Sequence, residues 1–174
     1  MRVFLIGYMG SGKTTIGKVV AKRLGLGFVD MDAHIENREH KSVAQIFCEL
    51  GEAKFRELER KCLHEVSEYD EVVISTGGGS PCYFDNMEVM NRQGISIYLN
   101  LSSEQLAKRL RTTNLLKRPI LAQYKGKDLE KFISDTLEKR EIFYGKAHLN
   151  VDGTDEEIAD KIVDYLMKNQ DKTQ

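Results

Sequence analysis

Gly7-Tyr8-Met9-Gly10-Ser11-Gly12-Lys13-Thr14 matches the phosphate-binding pattern G-x-x-x-x-G-K-[ST] at every fixed position. Val3-Phe4-Leu5-Ile6 before it is a short, β-prone apolar run of the kind a buried strand needs. After it, residues 14–24 read as a helix, with Ile16, Val19, Val20, Arg23 and Leu24 at helical spacing and Gly25 as a stop signal. Backbone N–H groups around Gly10, Ser11 and Gly12, together with a helix N-terminus, offer donors and partial positive charge to phosphate oxygens. Lys13 is expected to reach the β- and γ-phosphates, the Thr14 hydroxyl to meet Mg²⁺, and Thr15 to complete the nucleotide cradle. The competing reading is a flexible Gly/Ser turn, which the strand before and the helix after disfavour. The stretch predicts binding of a nucleoside triphosphate.

Strand-like runs recur at residues 27–30, 72–76, 95–99 and 148–151, separated by helical patterns. That alternation predicts an α/β domain: a parallel sheet with helices on both faces. Ser42-x-x-Gln45 and Thr154-x-x-Glu157 read as capping boxes, and Gly51 and Gly94 stand where helices should stop. Without repeats or a Gly/Ser/Pro-rich linker, residues 1–174 are expected to form a single domain. Two segments fall outside the sheet pattern, an insertion over about 32–69 and a polar stretch over about 112–126. Both are candidates for an acceptor-binding region and a lid, placed near the carboxyl ends of the strands.

Composition sets the class. The 174 residues are 41% hydrophobic and 30% charged with a net charge of −1, which suits a soluble globular chain and not a nucleic-acid or anionic-membrane surface. The three cysteines, Cys48, Cys62 and Cys82, lack metal-ligand spacing and suggest reduced thiols. No histidine pair has the i, i+4 spacing of a zinc site. The first strand begins almost at once, and no apolar run is long enough to span a membrane, so a cytoplasmic location is expected.

Phosphoryl transfer needs a carboxylate near the attacking hydroxyl and positive charge around the moving phosphate. Asp30-Met31-Asp32 ends the second strand, where alternation would put both carboxylates on one side. Asp30 is the candidate for holding Mg²⁺ through water, and Asp32 for binding an acceptor hydroxyl and taking its proton; either could instead be only a helix cap. The third strand ends without an acidic residue, which favours Asp30 for the metal. Gly77-Gly78-Gly79 follows that strand and suggests backbone lying close against a ligand, unless it is a plain turn before Pro81.

Three arginines carry different weight. Arg56 has Glu52 four residues earlier, the arrangement of a surface ion pair. Arg140 falls on the apolar line Leu129, Ile133, Leu137, Arg140, Tyr144, with no acidic residue three or four positions away. A guanidinium there needs an anion from elsewhere, such as a ligand carboxylate held bidentately, or must snorkel to solvent. Arg118, before Pro119, sits in the lid segment and either bridges the transferred phosphate or is merely solvated.

Taken together, the phosphate loop, Asp30-x-Asp32, Phe55-Arg56-x-x-Glu59, Thr76-Gly77-Gly78-Gly79, Arg118-Pro119-Ile120-Leu121 and Lys139-Arg140 resemble shikimate kinase, in order and with family-like spacing over about residues 2–151. The resemblance implies a nucleoside-monophosphate-kinase-like fold, a three-layer sandwich with strand order 2-3-1-4-5. It implies transfer of the ATP γ-phosphate to the 3-hydroxyl of shikimate, with Mg²⁺, by a monomer. By position, Lys13, Asp32 and Arg118 would be catalytic. Asp32 would hold the acceptor hydroxyls, and Arg56, Arg140 and Arg118 would contact the acceptor. Glu59 would orient Arg56, Phe47 and Phe55 would line the pocket, and the backbone of Gly77, Gly78 and Gly79 would border it. Arg111 and Arg118 would meet the nucleotide, and Thr14 and Asp30 the metal. The loop after the last strand, residues 151–155, lacks the proline usual in the family, and no adenine contact is assigned there. Gluconate or a nucleoside monophosphate is the rival acceptor. A GTPase switch is disfavoured because neither D-x-x-G nor N-K-x-D occurs.

Overall fold

The computed structural model describes residues 1–112, 124 and 127–170. Five parallel strands, β1 (Arg2–Ile6), β2 (Gly27–Asp30), β3 (Val72–Ser75), β4 (Ile95–Leu99) and β5 (Leu149–Val151), form one sheet in the order β2-β3-β1-β4-β5. The helices are α1 (Lys13–Leu24), α2 (Met31–Glu39), α3 (Val43–Val66), α4 (Asn86–Gln93), α5 (Ser103–Thr112), α6 (Lys127–Tyr144) and α7 (Asp155–Gln170).

The alternation of side chains along each strand divides the core between the two faces. Phe4, Ile6, Ile74 and Tyr98 point to one side and pack with Met31, Ile35, Phe55, Leu63, Met90 and Tyr144 from α2, α3, α4 and α6. Val3, Leu5, Val73, Ile97 and Leu99 point to the other and meet Ile16, Val20, Ile158 and Ile162 from α1 and α7. The inner strands are therefore mostly apolar, as burial on both faces requires, and the buried Ser96 of β4 is satisfied by Asn91 and His148. The edge strands β2 and β5 are only partly covered. A third cluster, including Tyr8, Leu106, Leu110, Leu129 and Ile133, binds α5 and α6 to the phosphate loop.

Every strand expected from the apolar runs is present, with bounds shifted by at most one residue, and Val19 turns out to be exposed on α1. Two expectations are revised. Within the insertion over 32–69 α2 and α3 pack as a pair, and Gly51 (φ 78°, ψ 168°) breaks α3 internally where a helix end was expected. The chain also leaves the sheet at Asp30, so Asp32 stands in the first turn of α2. Helical geometry there, and not strand alternation, sets the two carboxylates side by side. Both foreseen capping boxes form, and Ser102 with Gln105 makes a third by the same reciprocal bonds.

Candidate active site

β1 lies at the centre of the sheet, and the loop leaving its carboxyl end carries the phosphate-binding stretch. Gly10 and Gly12 adopt positive φ, 82° and 94°, which an L side chain resists, and the loop turns there into α1. The Lys13 ammonium, only 8% exposed as a residue, donates to the carbonyls of Gly7 at 2.8 Å and Tyr8 at 3.0 Å. Ser11 is buried, its Oγ meets no hydrogen-bond partner among the described residues, and Thr14 and Thr15 are exposed at the start of α1. The loop thus presents a held cation and the start of a helix to whatever enters.

Asp30 serves two purposes at once. One carboxylate oxygen caps α2 by accepting from the N–H groups of Asp32 and Ala33, at 3.1 and 3.2 Å, while the other accepts from Thr14 Oγ1 at 2.6 Å. The cap and the metal reading are both compatible with this carboxylate. A hydroxyl and a carboxylate brought together are the hard oxygen donors Mg²⁺ takes, with water filling its other positions.

Asp32 keeps an exposed surface, yet the surrounding protein raises its carboxyl above the usual range, chiefly by desolvation and then by the charge of Asp30. Lys13 and Arg56 both pull it the other way. Asp32 is therefore close enough to feel the phosphate-loop lysine and an arginine of the α2–α3 insertion together.

The triple glycine is shaped by contact. A Cβ on Gly77 would stand 2.2 Å from Glu59 Oε1 and 3.2 Å from Asp32 Oδ1, and one on Gly79 would stand 2.8 Å from both terminal nitrogens of Arg56. A Cβ on Gly78 would lie 3.1 Å from the Met9 amide. Side chains here would collide with the residues the site needs, which explains the composition.

Arg56 is buried where its spacing from Glu52 suggested a surface pair. Nη1 donates to Glu59 Oε2 at 2.8 Å, and Nε and Nη2 donate to Glu52 Oε1 at 3.3 and 3.0 Å. Its guanidinium carbon lies 5.8, 5.3 and 4.2 Å from the ring centres of Phe47, Phe55 and Tyr83. Glu59 is 1% exposed, Oε1 has no hydrogen-bond partner among the described residues, and burial pushes the carboxyl up to about 7 against the pull of Arg56.

Arg140 is half-buried. Nη1 donates to the Gly78 carbonyl at 3.2 Å and the guanidinium lies 5.3 Å from the ring centre of Tyr8. Tyr144 donates to the same carbonyl. Among the described residues no carboxylate lies within ion-pair distance of Arg140. The cation tethered to the glycine loop still lacks the anion that its place on an apolar stripe demands.

The structure thus gathers Asp32, Phe47, Phe55, Arg56, Glu59, Gly77, Gly78, Gly79 and Arg140 beside the phosphate loop. Arg118 and most of the lid segment lie outside the described residues. Arg111 is exposed at the end of α5, while Arg109, which no sequence pattern singled out, reaches Ser11 O at 3.4 Å and Asp155 Oδ1 at 2.6 Å. Tyr83 was also missed. An aromatic two residues after Pro81 carries no motif, and its contact with Arg56 appears only when the loop is folded.

Comparison with known proteins gives the family. The shikimate kinase family model matches residues 9–170. A shikimate kinase of Parabacteroides distasonis is 53% identical over 171 residues, covering 96% of this chain and 98% of that protein. The crystal structure of shikimate kinase from Bacteroides thetaiotaomicron is 46% identical, covers 98% of both chains and superposes with a TM-score of 0.89. The shikimate kinase from Acinetobacter baumannii in complex with shikimate is 31% identical, with 97% of this chain and 93% of that chain covered and a TM-score of 0.88.

Proposed function

The chain belongs to the shikimate kinase family, and on that premise we infer how its residues divide the work of moving the ATP γ-phosphate to the 3-hydroxyl of shikimate. The products are ADP and shikimate 3-phosphate, on the route to chorismate and the aromatic amino acids. The observation that carries the residue assignment is the position of Asp32, whose carboxylate shares the space over Gly77 with Glu59, the partner of Arg56. A base belongs there, beside the residues that hold the acceptor.

Arg56 and Arg140 take the acceptor carboxylate, Arg140 supplying a charge not yet neutralised and Arg56 a rigid fork. Glu59 orients Arg56, and Gly77, Gly78 and Gly79 let the acceptor approach their backbone. Phe47 and Phe55 wall the pocket. Asp32 hydrogen-bonds the 3-hydroxyl and takes its proton as the oxygen bonds to the γ-phosphorus and the bond to the bridging oxygen of ADP breaks.

Lys13 would exchange the Gly7 and Tyr8 carbonyls for phosphate oxygens, with the backbone of Gly10, Ser11 and Gly12 and the Thr15 hydroxyl beside it. Thr14 and Asp30 would hold Mg²⁺, which neutralises charge on the β- and γ-phosphates when bound. Arg111 and Arg118 remain proposed nucleotide contacts, Arg118 also meeting the acceptor from the lid over about 112–126. We place acceptor recognition in the α2–α3 insertion of a single kinase domain, working as a cytoplasmic monomer. No helix among the described residues is long and apolar enough to cross a membrane.

The product tests this assignment. Phosphorus and proton NMR of a reaction with ATP and shikimate should show a single phosphate ester on the 3-hydroxyl. Esterification at another hydroxyl would mean that Asp32 does not face the position proposed.

A further inference from the structure

Two aromatic residues after the glycine loop meet two arginines one helical turn apart on α3. Tyr83 lies 4.2 Å from the Arg56 guanidinium, and Phe84 lies 4.9 Å from that of Arg60. Successive side chains on extended backbone point to opposite sides, so one strand-like segment could not present both rings to one helix face. Phe84 instead adopts φ 52°, a left-handed conformation that a bulky residue rarely takes and that persists only where the surroundings hold it. Asp85 fastens the same turn by pairing with Arg60 at 2.8 Å.

The Tyr83 hydroxyl donates to Glu52 Oε1 at 2.8 Å, the same oxygen that accepts from Nε and Nη2 of Arg56. Tyr83 therefore touches Arg56 twice, through its ring and, by way of Glu52, through its hydroxyl. The bond to Tyr83 is also the leading reason the Glu52 carboxyl is held below its usual range, which keeps Glu52 charged as a partner for Arg56. Glu52 on its own is an exposed side chain on a helix surface, a poor anchor for an arginine that must hold one orientation.

We propose that Tyr83 is a positioning residue for acceptor binding: stacked on the Arg56 guanidinium and bonded to its partner Glu52, it fixes the direction in which Arg56 offers its free N–H groups to the acceptor carboxylate. The proposal rests on the reading of Arg56 as a carboxylate clamp. It adds the segment after the glycine loop to the parts of the chain that set acceptor affinity.

Steady-state kinetics of the whole chain test it, varying shikimate and ATP separately. Tyr83→Phe keeps the ring and should raise the shikimate KM roughly threefold to tenfold, with the ATP KM and kcat nearly unchanged. Tyr83→Leu removes the ring as well and should raise it further. In a Glu52→Ala background Tyr83→Phe should add nothing, because the hydroxyl acts through Glu52. A role in stability alone would lower kcat or the melting temperature and leave the shikimate KM in place, and that result overturns the proposal. So does an equal effect of Tyr83→Phe with and without Glu52. If Tyr83→Leu fails to fold, Tyr83→Phe and the double variant still decide. Arg56→Ala is the control for the premise: an unchanged shikimate KM there would defeat the clamp itself, whereas a raised KM with Tyr83 variants unaffected would defeat only this proposal.

Discussion

Thr14 Oγ1 donates a 2.6 Å hydrogen bond to Asp30 Oδ2, so the hydroxyl closing the phosphate loop and the carboxylate ending β2 already face each other. The other oxygen of Asp30 caps α2. The two duties can be separated. Asp30→Asn keeps a capping oxygen but loses the charge, so it should raise the magnesium concentration for half-maximal activity with little change in melting temperature. Asp30→Ala should do the same and also cost about 1 kcal/mol of stability through the lost cap. Magnesium titrations of activity beside thermal melts check both.

Asp32→Ala removes the proposed base without touching the nucleotide cradle. It should lower kcat by about 100-fold or more and leave ATP affinity, measured by calorimetry, nearly unchanged. Equal losses in both would place Asp32 in nucleotide binding.

Arg140→Lys keeps the charge but loses the planar fork. The shikimate KM should rise about tenfold while the ATP KM stays nearly constant. Parallel substrate titrations give both numbers, and an unmoved shikimate KM would remove Arg140 from the clamp.

Glu59 brings a pH dependence. Burial raises its carboxyl to about 7. When ionised it neutralises Arg56, and when protonated it leaves that charge to the incoming carboxylate. Acceptor binding should therefore be tighter below about pH 7 and weaken as pH rises through it, and Glu59→Gln should flatten the profile. The sign for stability follows from the same shift. Between the ordinary carboxylate value and about 7 the folded chain holds a proton the unfolded chain has released, so stability falls as pH rises across that window. Calorimetric titration with shikimate from pH 5.5 to 8.5, wild type against Glu59→Gln, reads the binding effect.

Much of this was legible in the chain before folding, for identifiable reasons. The inner strands show as apolar runs because parallel strands are buried on both faces, and the phosphate loop has fixed spacing. Arg140 stood out because a charge on an apolar stripe is costly unless paired. Arg56 did not, since an acidic residue four positions earlier looks the same on a solvated face as at a pocket wall. Asp32 was placed beside Asp30 through the wrong element, because a strand end and a helix start are alike in three residues. Ser102-x-x-Gln105 carried the same capping signal as the two boxes that were foreseen. The contacts of Tyr83 and Arg109 were invisible for a different reason: each joins segments far apart in sequence, and no local pattern encodes it.

The central claim is a pocket beside the phosphate loop whose arginines seize a small hydroxylated acid, and acceptor choice tests it most directly. ADP release should be measured with ATP and shikimate, gluconate or CMP side by side. Turnover dependent on shikimate, with gluconate and CMP near the background rate, is the expected result. Turnover with CMP or gluconate while shikimate stays silent would contradict the account.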